Sequence, residues 1–133
     1  MSQENVELVR EAYERFQATG EFDPEFADPE FVWDMSTFRG WPGQQEYHGV
    51  EGARQFLHEW LEAWDDWELR LEELHDAGEQ IVAIVRQRGR SKAMGLPVDM
   101  TFAQMFTLRD GKQVRMQMYA EPSEALAAAG LRE

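Results

Sequence analysis

The first twenty residues carry apolar side chains at the spacing of an α-helix. Val6, Val9, Tyr13 and Phe16 recur at intervals of three and four residues, and Gly20 follows where helices commonly end. The pattern predicts a first helix that buries one stripe of side chains and stops at Gly20.

The segment after this helix contains turn and strand signals. "FDPEFADPEF" holds two Asp-Pro pairs, each an N-cap followed by proline at the first helical position, which predicts a short helical turn. In "EFVWDMS" the apolar residues Phe31, Trp33 and Met35 alternate with residues that include Asp34, as expected of a strand. "TFRGWPGQQEYHG", rich in glycine, predicts a long loop.

A second, strongly amphipathic helix is predicted from Val50 to about Asp65. Its apolar positions are Ala53, Phe56, Leu57, Trp60, Leu61 and Trp64.

Four strand-like segments complete the chain: "WELRLEEL", "QIVAIVRQRGR", "VDMTFAQMFTLRD" and "KQVRMQMYAE". Asp110-Gly111 between the last two is a strong hairpin signal, and "SKAMGLP" predicts a second hairpin turn. A proline stop and a small alanine-rich helix follow. This order predicts one α+β domain over residues 1–133, in which a curved, mostly antiparallel sheet wraps against the N-terminal helices and encloses a pocket walled by Trp, Phe and Met.

The composition makes several classes of binding partner unfavourable. The 133 residues fit one domain, and a formal net charge of -13 disfavours nucleic acid and membrane surfaces. The chain has no cysteine, its three histidines show no metal-ligand spacing, and it carries neither a signal-peptide pattern nor a transmembrane run. We therefore expect a cytoplasmic protein without a bound metal.

The order of elements, with "YHGVEGARQFLHEWL", "LRDGKQVRMQMY" and "EPSEALAAAGL", resembles the NTF2-like superfamily and its SnoaL-like branch over nearly the whole chain. The resemblance implies a cone-shaped, cystatin-like roll, a small hydrophobic ligand, no cofactor and a homodimer formed through the outer face of the sheet. The superfamily includes isomerases, polyketide cyclases, epoxide hydrolases, dehydratases and non-catalytic members, so the fold does not decide the function.

Similarity to ketosteroid isomerase within this superfamily implies three catalytic positions. Tyr13, seven residues before Gly20, corresponds to an oxyanion-hole tyrosine, Asp34 to the base, and Gln104 to the second oxyanion donor, which is an Asp in that enzyme. Proton abstraction next to a carbonyl needs a carboxylate whose pKa is raised by an apolar pocket. Structural alternatives remain: Asp34 as an acid at a strand end, and Tyr13 as a half-buried helix tyrosine.

Similarity to the polyketide cyclases implies a second acid at Glu121, at the end of the last strand. The alternative is a charge favoured by the following helix, with Ser123 as its N-cap. Similarity to the limonene epoxide hydrolases would assign the cation to Arg86 or Arg88, but no second acid stands at a matching position. Cross-strand pairing with a carboxylate is the expected role of these arginines.

Two functions are left open by the sequence. The first is a cofactor-free isomerase or cyclase that transfers a proton on a hydrophobic carbonyl compound, and the second is a non-catalytic ligand-binding or dimerisation domain. The expected ligand-binding residues are Phe16, Trp33, His48, Trp60, Arg88, Phe102, Phe106, Met116, Met118 and Tyr119.

Overall fold

Within residues 2–131, which the computed structural model describes, three α-helices and six strands follow one another. The elements are α1 (Ser2–Thr19), a 3₁₀ turn (Pro24–Phe26), β1 (Ala27–Asp34), β2 (Glu46–His48), α2 (Gly49–Leu61), β3 (Trp64–Ala77), β4 (Gln80–Ser91), β5 (Pro97–Arg109), β6 (Lys112–Tyr119) and α3 (Pro122–Ala128).

The strands form one sheet in the order β2-β1-β6-β5-β4-β3. Strands β3 to β6 make an antiparallel meander, and β1 pairs with β2 antiparallel but with β6 parallel. The sheet is therefore mixed. The predicted α+β fold with one mostly antiparallel sheet is confirmed.

The two faces of the sheet have separate apolar clusters. On the concave face, α1 and α2 cover a cluster rich in aromatic side chains, in which the rings of Trp33 and Phe56 stack with centroids 4.5 Å apart. On the convex face, α3 packs Ala125 and Leu126 into a smaller cluster that includes Met105. We call these the concave face and the convex face below.

One predicted hairpin turn and one predicted helix end are confirmed. Asp110 and Gly111 both adopt positive φ, 54° and 79°, as a two-residue hairpin turn between β5 and β6 requires. At the end of α1, Gly20 has a φ of 74° and its N–H donates to the Phe16 carbonyl over 2.7 Å.

Three local predictions are wrong. Helix α2 ends at Leu61 rather than near Asp65, because the chain from Trp64 onward pairs with β4 instead. The second Asp-Pro pair, Asp28 and Pro29, lies in β1 rather than in a helical turn, and the predicted long loop contains the short strand β2. Pairing with β4 therefore ends α2, and pairing with β1 forms β2.

No helix among the described residues is long and apolar enough to cross a membrane.

Candidate functional site

A cavity of about 90 Å³ lies between α1, α2 and the concave face of the sheet. Its walls are mostly aromatic, aliphatic and thioether side chains. The lining residues are Ala12, Tyr13, Phe16, Glu21, Phe22, Asp23, Phe26, Trp33, Phe56, Leu57, Trp60, Trp67, Leu69, Phe102, Gln104, Phe106, Gln113, Met116 and Met118. The space is well above the roughly 10–15 Å³ that a single water molecule needs, so a small molecule can enter it.

A buried hydrogen bond joins α1 to β5 at this cavity. The Tyr13 hydroxyl donates to Oε1 of Gln104, and the two side chains are only 6% and 9% exposed. Burial raises the pKa of Tyr13 well above its usual value, so the hydroxyl keeps its proton. Phe106 packs edge-on against the Tyr13 ring, with centroids 5.9 Å apart. The cavity thus has a fixed polar pair within an apolar wall.

Asp34 lies outside this cavity. It follows Trp33 in β1, and successive side chains of a strand point to opposite faces, so Trp33 lines the cavity while the Asp34 carboxylate lies on the convex side. There Oδ1 accepts from the Ser36 amide over 2.8 Å and from Ser36 Oγ over 2.6 Å. Oδ2 accepts from Arg115 Nη2 over 2.8 Å, and this guanidinium also bonds Glu46 over 3.0 Å.

These partners decide the charge of Asp34. Burial acts to raise the pKa of this carboxyl, but the hydrogen bonds from Ser36 and the Arg115 guanidinium outweigh it and lower the pKa below its usual value. The expected rise of the Asp34 pKa in an apolar pocket is therefore wrong. Asp34 remains ionised and fully engaged by its neighbours.

Glu121 also lies away from the cavity. It is exposed at the N-cap position of α3 and makes no side-chain capping hydrogen bond. Ser123 lies inside α3, so its predicted N-cap role is wrong. Nearby, Arg39 bonds Glu124 over 2.8 Å between Nη2 and Oε2.

Three further predicted residues do not line the cavity. Tyr119 packs in the convex cluster beneath α3. His48 is exposed at the start of α2, with Nε2 3.5 Å from a Glu46 carboxylate oxygen. Arg88 lies 3.6 Å from the Asp99 carboxylate across the β4–β5 hairpin, the type of pairing that the alternative interpretation of the arginines predicts.

The other predicted site residues do line the cavity: Tyr13, Phe16, Trp33, Trp60, Phe102, Gln104, Phe106, Met116 and Met118. Sequence reasoning did not assign Phe56 or Gln113 to the site. Phe56 was in the apolar stripe of the second helix and could have been found there. On β6, Gln113 precedes an irregularity in the β5–β6 register: Leu108 pairs with Gln113 but Thr107 pairs with Arg115, which simple alternation cannot anticipate.

Three polar atoms of lining residues are buried without a hydrogen-bond partner among the described residues. They are Nε1 of Trp33, Nε1 of Trp67 and Oε1 of Gln113. The charged residues that line the cavity within residues 2–131 are Glu21, which is exposed, and Asp23, which bonds Arg15 over 2.7 Å. The cavity therefore combines unpaired buried polar atoms with an acidic rim.

In the part of the chain that the structure describes, no group of three or more His, Asp or Glu side chains is arranged to hold a metal ion.

Comparison with known proteins points to one family. Residues 9–116 match the model of the SnoaL-like domain. A search of the curated proteins returned no significant match.

Several solved structures share the fold at low sequence identity. A protein from Jannaschia sp. CCS1 described as a SnoaL-like polyketide cyclase is 21% identical, with a TM-score of 0.73 over 99% of this chain and 95% of its own. TerC, co-crystallised with polyporic acid, is 20% identical, with a TM-score of 0.72 over 96% and 98% of the two chains. A protein from Catenulispora acidiphila with a ketosteroid isomerase-like fold, in complex with trimethylamine, is 15% identical, with a TM-score of 0.67 over 91% of this chain and 93% of its own.

Proposed function

The chain belongs to the SnoaL-like domain family, and from this premise we propose that it binds one small, largely apolar molecule in the concave-face cavity. The observation that carries the proposal is the buried Tyr13–Gln104 pair within an otherwise aromatic wall. Ligand sites commonly combine an apolar lining with a few fixed polar groups that set orientation. The bound molecules of TerC and of the Catenulispora protein support the same use of this fold.

Titration of tryptophan fluorescence with small aromatic ketones tests this proposal, because Trp33, Trp60 and Trp67 all line the cavity. We expect Ala12→Phe, which places a ring in the cavity, to weaken binding at least tenfold. The matched control is Ala127→Phe on the exposed side of α3, which should leave binding unchanged. Equal affinities for both variants would place any binding elsewhere and contradict the proposal.

A second, finer function is acid-base proton transfer on a hydrophobic carbonyl compound, as in an isomerase or cyclase. The position of Tyr13 and Gln104 at one cavity favours it, because the similarity to ketosteroid isomerase implies carbonyl-binding donors at both positions. The Tyr13 hydroxyl, which donates to Gln104, would have to turn to the substrate carbonyl. The position of the carboxylates does not favour it: Asp34 faces the convex side and Glu121 is exposed. Binding is therefore the better-supported function.

Exchange of deuterium into the α-carbon of a bound ketone, followed by NMR, tests proton transfer directly. A catalyst should exchange well above the buffer rate, and Tyr13→Phe should slow it by about 10²-fold or more if the hydroxyl stabilises the enolate. Asp34→Asn and Glu121→Gln separate the two proposed acids. Exchange at the buffer rate by the unaltered protein would exclude this function for the ketone tested.

We further propose a cytosolic homodimer formed through the convex face, as the family resemblance implies. Light scattering tests the dimer. Thr101→Arg, on the exposed part of that face, should shift the mass toward the monomer, whereas Glu14→Arg on the exposed side of α1 should not. A monomeric unaltered protein at micromolar concentration would contradict the dimer.

A further inference from the structure

We infer that Gln104 contacts the polar group of the ligand, with its side-chain Nε2 donating to an uncharged acceptor such as a ketone, aldehyde or ester carbonyl. Tyr13 is then a positioning residue, which holds the Gln104 amide in this orientation and does not itself contact the ligand. The inference rests on the proposed binding function and adds to it the chemical class that the cavity selects.

The first argument is the orientation of the Gln104 amide. Because burial raises the pKa of Tyr13, its hydroxyl keeps the proton and needs an acceptor for it. Oε1 of Gln104 accepts this hydrogen bond. With the amide reversed, the hydroxyl would face the NH₂ group, which cannot accept. The bond from Tyr13 therefore directs Nε2 of Gln104 away from the hydroxyl.

The second argument is that Nε2 of Gln104 is open to the cavity. It has no acceptor within residues 2–131, yet it is not sealed from solvent as the unpaired Nε1 of Trp33 is. Gln104 keeps 9% of its surface exposed. Its backbone lies between Ala83 of β4 and Met118 of β6, and its side chain lines the cavity. A molecule in the cavity can therefore reach this donor.

The third argument is what surrounds the amide. Phe102 and Phe106 share its face of β5, Met118 is its neighbour on β6, and all three line the cavity. These side chains offer the amide no strong acceptor, and a hydrogen bond in an apolar setting is stronger than one in water. A carbonyl on the ligand therefore adds affinity here, whereas a purely apolar ligand would leave the NH₂ group unpaired.

The fourth argument, charge, restricts the acceptor to an uncharged group. Among the described lining residues, the charged side chains are Glu21 and Asp23, and both are acidic. A carboxylate ligand would lose its hydration in the cavity without meeting a cation on these walls, which is strongly unfavourable. The neutral amide of Gln104 does not compensate a charge. A neutral carbonyl compound meets the donor without this cost.

Calorimetric titration of the full chain with three single-ring probes tests the inference. The probes are acetophenone, α-methylstyrene, in which a CH₂ group replaces the carbonyl oxygen, and benzoate. We expect acetophenone to bind about tenfold tighter than its isostere α-methylstyrene, because it gains one hydrogen bond. Benzoate should bind at least tenfold more weakly than acetophenone.

Matched variants separate the role of Gln104 from that of Tyr13. Gln104→Leu should abolish the advantage of acetophenone over α-methylstyrene, whereas Tyr13→Phe, which frees the amide to rotate, should reduce it to about two- to threefold. Gln117→Leu is the control, because Gln117 alternates with the cavity residues Met116 and Met118 and therefore faces the convex side. It should leave the advantage unchanged.

Infrared spectroscopy of bound acetophenone identifies the donor. A hydrogen bond lowers the C=O stretching frequency, so the band of the bound ketone should lie below its position in hexane. We expect the band to stay lowered in Tyr13→Phe and to return to the hexane position in Gln104→Leu. A return in Tyr13→Phe with none in Gln104→Leu would make the Tyr13 hydroxyl the donor and would overturn the inference.

A measurement on the unaltered protein avoids dependence on how the variants fold. The side-chain NH₂ signals of Gln104 should shift more in the NMR spectrum with acetophenone than with α-methylstyrene, while those of Gln117 stay in place. Equal affinities for these two probes, benzoate binding as tightly as acetophenone, or a carbonyl band at its hexane position would overturn this inference alone. Failure of every probe to bind, α-methylstyrene included, would overturn the proposed function and this inference together.

Discussion

The two faces of the sheet differ in the charge of the polar groups that they bury. On the convex side, both oxygens of Asp34 are paired, with Ser36 and with Arg115. On the concave side, the buried polar groups at the cavity are uncharged. Tyr13 and Gln104 bond to each other, and Trp33 Nε1 and Gln113 Oε1 have no partner within residues 2–131. The difference teaches that a buried charge alone is a poor guide to a binding site. The better guide is a neutral polar pair inside an apolar cavity, because it can orient a ligand without the cost of burying a charge.

The largest expected effect tests whether the hydrogen bonds of Asp34 with Ser36 and Arg115 serve stability alone. Asp34→Asn replaces a charged acceptor that is 3% exposed, and we expect a loss of about 2–3 kcal/mol in the free energy of unfolding. Binding of cavity ligands should change less than twofold. Chemical denaturation and fluorescence titration measure the two quantities.

The control for this substitution is Glu14→Gln on the exposed side of α1, which should change stability by less than about 0.5 kcal/mol. If a folded Asp34→Asn protein no longer bound ligand, Asp34 on the convex side would contribute to the concave cavity after all.

The next prediction uses pH. Because the pKa of Asp34 is lowered in the folded protein, its contribution to stability is present above the unfolded-state pKa, near 3.9, and is lost as the pH falls through the folded-state value. The stability gap between the unaltered protein and Asp34→Asn should therefore be full at pH 6 and smaller at pH 3. Denaturant titrations at both pH values check this. A gap that widens in acid would mean that the pKa is raised, as first expected.

A smaller effect is expected for the polar pair of the concave face. Tyr13→Phe leaves Gln104 Oε1 without its donor and should cost about 1–2 kcal/mol of stability. Unlike Asp34→Asn, it should also change ligand affinity, by several-fold for acetophenone and little for ethylbenzene. The single variant Gln104→Leu and the double variant with Tyr13→Phe complete a double-mutant cycle. If the stability losses of the two single variants simply add in the double variant, the hydrogen bond contributes no interaction energy.

The smallest effect is expected at an exposed pair on the convex face. Arg86 makes two hydrogen bonds to the Asp99 carboxylate, at 2.8 and 2.7 Å, but both side chains are substantially exposed. Such pairs contribute about 0–1 kcal/mol, so Arg86→Ala should lower the melting temperature only slightly and leave ligand binding unchanged. A loss of stability as large as that for Asp34→Asn would show that exposure does not explain the difference between the Arg86–Asp99 pair and Asp34.

Much of the fold could be predicted because its signals are local. The apolar stripe before Gly20 and the Asp110-Gly111 turn depend on neighbouring residues and are found where expected. The end of α2 and the strand β2 depend on pairing with distant segments, which periodicity does not report.

Some residues of the candidate site could be predicted from the sequence and others could not. Tyr13 and Gln104 lie on the buried sides of their elements, so pattern and resemblance placed them together correctly at one cavity. Asp34 was assigned to the same pocket as Trp33, although adjacent residues of a strand cannot both face it; the alternation that identified the strand already excluded this. Gln113 could not be assigned, because its side depends on a register shift.

The parallel pairing of β1 with β6 has a kinetic consequence. It brings together segments that are far apart in the chain, as the Asp34–Arg115 bond, spanning 81 positions, illustrates. Contacts of such long range form slowly, because a large loop must close before they contribute. The β3–β6 meander can form earlier from nearby segments, whereas the cavity needs β1 in place. A cavity ligand should therefore slow unfolding while leaving the rate of refolding nearly unchanged.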